Sequence, residues 1–161
     1  MLKKYWIWIC MFVLMVGCLP QNIQTENKED IPNELKYTLD FLYYSKDLSS
    51  SIAGITNRLN EMDKINDTEK DKIKEIWKQH KKYHNMLQSV VNDWYDIVNE
   101  GNVANKELKQ RSLVYMKNIL SENKKLYNMI TSLTNGSFSF PKSLLTNMEN
   151  LYDLIKEMKN E

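Results

Sequence analysis

Ile73-Lys74-Glu75-Ile76-Trp77-Lys78-Gln79-His80-Lys81-Lys82-Tyr83-His84-Asn85-Met86-Leu87-Gln88-Ser89-Val90-Val91-Asn92-Asp93-Trp94-Tyr95-Asp96-Ile97 is the stretch whose spacing decides the fold. Ile73, Ile76, His80, Tyr83, Leu87, Val90, Trp94 and Ile97 recur three and four residues apart, which is one face of an α-helix. Trp77, His84, Val91 and Val98 widen that stripe, and lysines and acids fill the opposite face. Asp67 or Thr68 suits the start of this helix, Glu69 and Asp71 suit its positive end, and Gly101 ends it. A helix over about 68–100 with one apolar seam must bury that seam against other helices.

The flanking segments supply them. Upstream, Thr38, Phe41, Ser45, Leu48, Ile52, Ile55, Leu59 and Met62 keep the same rhythm over about 33–64, with Asn33 as the expected N-cap. The run Ser49-Ser50-Ser51-Ile52-Ala53-Gly54 in its middle is small, which predicts either a groove and flexible waist or the close approach of a neighbouring helix. Downstream, Leu108, Ser112, Tyr115, Ile119, Asn123, Leu126, Ile130 and Leu133 mark a third helix over about 104–134, closed by Asn135-Gly136. Leu144, Met148, Leu151, Ile155 and Met158 mark a shorter one over about 142–159, after Pro141. No alternating apolar–polar run bounded by turn residues competes with these helices. Short connections between amphipathic helices make antiparallel neighbours. The expected fold is all-α: an antiparallel up-down-up-down four-helix bundle over 33–161, with three long helices and one shorter C-terminal helix. The shortness of the last helix predicts a groove beside the early part of the first.

The N-terminus has a different character. Lys3 and Lys4 precede Tyr5-Trp6-Ile7-Trp8-Ile9-Cys10-Met11-Phe12-Val13-Leu14-Met15-Val16, which carries no charge. A basic start and a short apolar run are the parts of a secretion signal, and the run falls short of the roughly 20 residues a membrane span needs. Leu14-Met15-Val16-Gly17-Cys18 follows, and here the chain resembles a bacterial lipoprotein signal peptide. Val16, Gly17 and Cys18 match the last three positions of a lipobox, with Met15 where Leu is commoner. The resemblance implies cleavage between Gly17 and Cys18 and lipid on Cys18, so that residues 1–17 are a removed signal peptide and 18–32 an acylated Cys with a tether. Leu19 to Pro32 is polar, with a proline near each end, and as a coil of 14 residues would reach on the order of 20 Å. Two or more acyl chains make membrane attachment stable, where one is marginal. The anchor would put the protein on the extracytoplasmic face of a bacterial cell membrane, or in the outer membrane of a cell that has one.

Composition limits the rest. Residues 1–17 take two of the 22 basic residues and none of the 21 acidic ones, leaving a mature chain near net charge −1. That balance argues against nucleic acid as a partner and offers no polybasic surface for anionic lipid. With Cys10 in the signal and Cys18 lipidated, no cysteine is left for a disulfide, a nucleophile or a metal. No cofactor beyond the covalent lipid is expected, and no enzyme motif is present: no Gly-rich phosphate loop, no Gly-x-Ser-x-Gly, no haem-attachment motif.

Two places outside the anchor merit structural attention. His80 and His84 are one helical turn apart and could share a divalent metal, although Lys81-Lys82-Tyr83 between them is unlike a zinc-protease motif and adds positive charge. Ser137-Phe138-Ser139-Phe140-Pro141 sets two aromatics in a loop, either as contacts for another envelope protein or as plugs for the end of the bundle. Asp93, Asp96 and Glu100 read as a solvated polar face. The leading expectation is a non-enzymatic, membrane-anchored lipoprotein with a protein-interaction or structural role. The alternative is a metal- or small-ligand-binding bundle using His80 and His84.

Overall fold

The computed structural model describes residues 31–101, 104–136 and 139–160, and all the regular structure among them is helical. The four helices are α1 (Asn33–Glu61), α2 (Asp67–Asn99), α3 (Lys106–Leu133) and α4 (Lys142–Asn160), three of 28 to 33 residues and a last one of 19. They form the expected four-helix bundle. The segments read above as a signal peptide and tether lie outside the described residues, apart from residues 31 and 32.

The helix ends show the chemistry that places them. Asn66 caps α2: its side chain accepts from the Glu69 N–H at 2.9 Å, and the Glu69 carboxylate accepts from the Asn66 N–H at 2.8 Å. This reciprocal box satisfies two N–H groups a helix start leaves open, and it puts the cap one residue before the expected Asp67. Asn105 caps α3 by accepting from the Leu108 N–H at 3.0 Å. At the start of α1 the expectation fails. Pro32 holds the cap position without any side-chain bond, and Asn33 is already helical. The fixed φ of proline suits a chain about to enter a helix.

α1 also stops earlier than its apolar rhythm suggests. Asp63 takes a left-handed φ of 52°, the Asp63 N–H bonds the Asn60 carbonyl at 3.1 Å, and the Lys64 N–H bonds the Leu59 carbonyl at 3.0 Å. This is a Schellman closure. It turns Ile65 back into the core at 4% exposure and leaves Met62, expected in the seam, 64% exposed. α3 ends in the same way at Asn135, φ 49°.

α2 packs mainly on α3 and α1 mainly on α4, while no described Cα of α2 comes within 8 Å of one in α4. α1 and α3 run the same way across the bundle: Glu34 and Lys109, at their two starts, pair at 3.6 Å. Their backbones come within 8 Å of each other at more places than those of α1 and α2 do. Thr38 and Ser45 on α1 and Ser112 on α3 are small and wholly buried. Around them sit Phe41, Leu48, Ile52, Leu87, Trp94, Met116, Ile119, Leu126, Ile130, Leu144 and Leu151, each under 2% exposed. The seven-residue row Ile73, His80, Leu87, Trp94 of α2 is buried along its whole length. Leu35, Thr38 and Phe41 are wholly buried too, so the expected groove beside the early part of the first helix is not an opening onto them.

The small run in α1 is unbroken helix, and Gly54 faces open space: a Cβ built there meets nothing within 4 Å. The same is true of Gly101, but at φ +80°. Alanine at the two sites should therefore have opposite effects. Gly54→Ala is expected to stabilise by about 0.5–1 kcal/mol, because glycine in a helix interior costs entropy. Gly101→Ala is expected to destabilise by about 1 kcal/mol, because an L-residue pays a steric penalty in the left-handed region. Paired urea melts measure both, and a matching sign would contradict the assignment.

Candidate functional site

α1 and α2 exchange a side-chain hydrogen bond at His80. Ser49 Oγ lies 3.1 Å from His80 Nε2 and 2.7 Å from the Ser45 carbonyl. A serine hydroxyl has one proton, and the carbonyl can only accept, so that proton goes to Ser45. Ser49 Oγ is then the acceptor and His80 Nε2–H the donor, which leaves Nδ1 bare. Trp77 meets the His80 ring edge-on, centroids 5.3 Å apart at 77°, and His84 stacks on it at 6.0 Å and 28°.

Burial drives the His80 pKa down to about 3, with the neighbouring His84 pushing the same way. His84 is also lowered, by burial first and then by the Lys46 ammonium. Both rings are neutral near pH 7. This arrangement runs opposite to nucleophile activation, which needs the serine O–H aimed at a bare ring nitrogen. A metal at the pair would have to use the bare Nδ1 of His80 or take Nε2 from Ser49. Among the described residues no cluster of three or more His, Cys, Asp or Glu is placed to hold an ion.

Phe140 is turned inward: its ring lies 4.3 Å from that of Tyr127, tilted by 31°, and packs against the core. Of the two aromatics named in the loop, this one caps the end of the bundle, while Phe138 lies outside the described residues. Asp93, expected on a solvated face, pairs with Arg111 of α3 at 2.9 Å and so ties α2 to α3. A shallow hollow of about 380 Å³ runs between α3 and α4, lined by Lys124, Met148, Glu149, Tyr152 and Asp153. Leu145 and Tyr152 beside it are 41% and 58% exposed, and the Lys124 ammonium sits 5.9 Å from the Tyr152 ring centroid.

Sequence spacing did not disclose Ser49 as the partner of His80, because the two are 31 residues apart on different helices. Asn123 was visible as a polar residue in an apolar seam, and it is wholly buried. Gly17 and Cys18 lie outside the described residues, and no described helix is long and apolar enough to cross a membrane. No protein-family model matches the chain, and no curated protein or solved structure matches it significantly.

Proposed function

We propose that this chain is a lipoprotein, held by lipid on Cys18 at the extracytoplasmic face of a bacterial membrane, where its helical bundle serves a structural or protein-interaction role rather than catalysis. The observation that carries this reading is the order of parts at the N-terminus: Lys3-Lys4, an uncharged run to Val16, then Gly17-Cys18 and a polar stretch before α1. A cysteine acylated at that point would link the bundle to the membrane through a tether of about 14 residues. The site geometry is in keeping with a non-catalytic role, since His80 and Ser49 are engaged with each other in the direction that does not activate the hydroxyl. The partner contact is assigned to the Phe138 side of the loop, because Phe140 is already packed on Tyr127.

Cys18→Ala tests the anchor. The variant should lose labelling by a fatty-acid probe and either leave the membrane fraction or accumulate as an uncleaved precursor. Labelling equal to that of the unaltered protein would overturn the reading. The partner role is tested by mild crosslinking in native membranes followed by mass spectrometry. A reproducible envelope partner lost in Phe138→Ser is the expected result, and capture unchanged by that substitution would remove the loop from the contact.

A further inference from the structure

Ser45 and Asn123 are fully buried, and neither Ser45 Oγ nor either end of the Asn123 amide has a hydrogen-bond partner. Each lies in the middle of its helix's buried stripe, Ser45 between Phe41, Leu48 and Ile52, Asn123 between Ile119, Leu126 and Ile130. Their heights along the bundle are close. Ser49 of α1 is level with His80 of α2, and Trp94 of α2, bonded to Ser112 at 3.4 Å, is level with the start of α3. Fourteen residues separate His80 from Trp94 and Ser112 from Leu126, so in antiparallel helices Leu126 stands level with His80 and Ser49. Ser45 is four residues before Ser49, Asn123 is three before Leu126, and α1 and α3 run the same way. The two thus stand within about one helical turn of the same height, each in the buried stripe of its helix, and α1 and α3 pack against each other.

We infer that Ser45 and the Asn123 amide hold buried water between α1 and α3, a hydrated layer one turn from the His80–Ser49 bond. A polar atom buried without a partner pays the full cost of leaving water, which a marginally stable domain can ill sustain. Ser45 has an escape within its own helix, since Thr38, Ser49 and Thr56 all donate to the carbonyl four residues back. The amide does not, because it needs an acceptor for its N–H groups and a donor for its oxygen at the same time. Water supplies both, and buried waters in proteins typically make about three such bonds.

The test uses the full chain in detergent micelles. Nuclear Overhauser spectra should show cross-peaks between the Asn123 side-chain N–H protons and water, with the sign of a slowly exchanging internal molecule. Oxygen-17 relaxation dispersion of the water should show a long-lived component that is reduced in Asn123→Leu and in Ser45→Ala, recorded in the same micelles. An Asn123 amide that contacts only protein protons overturns the inference without any variant. A dispersion unchanged by Asn123→Leu overturns it as well, and if that variant does not fold, an unchanged dispersion in Ser45→Ala does so.

Discussion

Replacing Trp94 by alanine should remove about 3–5 kcal/mol of stability, the usual cost of deleting a large buried aromatic side chain. Trp94 is wholly buried near the C-terminal end of α2, in the row it shares with Ile73, His80 and Leu87. Its indole N–H reaches Ser112 Oγ at 3.4 Å, a long bond and therefore a weak one. The ring's contribution is thus mainly packing: it fills the region where α1 begins, α2 ends and α3 begins. Ser112→Ala should cost only about 1 kcal/mol by comparison, since it removes a weak acceptor and leaves the ring in place. Urea denaturation followed by far-ultraviolet circular dichroism separates the two, because the backbone signal does not depend on Trp94 itself. Against a total of about 5–15 kcal/mol, Trp94→Ala would bring the bundle close to unfolding at physiological temperature. A loss below 1 kcal/mol would mean that this end of the bundle is not packed as described.

The row that contains Trp94 was legible because a period of three and four residues reports directly which face of a helix is buried. It does not report what that face is buried against. Which helices approach one another, α1 with α3 but not α2 with α4, depends on how buried faces on different helices meet, and no single helix carries that information. Helix ends were legible where the stop is Gly101 or Asn135-Gly136, the residues that take a left-handed φ at least cost. Asp63 does the same at the end of α1, and an aspartate in a polar stretch gives no comparable signal. The site divides along the same line. The His80–His84 spacing is local and was read correctly as one face of one helix. The hydrogen bond to Ser49 that defines the state of His80 comes from another helix. Phe140 shows the limit for loops, where only the fold brings Tyr127 up to an aromatic whose role the sequence leaves open.

Stability should fall by roughly 2 kcal/mol between pH 7.5 and pH 5 on account of His80 alone. In the folded chain burial holds its pKa near 3, whereas in the unfolded chain the ring titrates near the ordinary imidazole value of 6.5. Below 6.5 the unfolded chain therefore binds a proton that the folded one refuses, and mass action favours unfolding. The stabilisation is complete above pH 6.5 and is lost as the pH falls from there towards 3. At pH 5 the difference of about 1.5 pH units, at 1.36 kcal/mol each, gives the 2 kcal/mol. His84, lowered by burial and by Lys46, acts in the same direction. Stopping at pH 5 keeps the comparison above the range where carboxylates protonate, including Glu75, whose exposed carboxyl is held below its usual value first by Gln79 and then by Lys78. His80→Leu should flatten most of the slope. It strands no donor on α1, because Ser49 keeps its proton on the Ser45 carbonyl. Equal stability at pH 7.5 and 5 would contradict the burial of the ring. So would a histidine titration near 6.5 in the folded chain, and either result would reopen the His80–His84 face to solvent, where a metal could reach it.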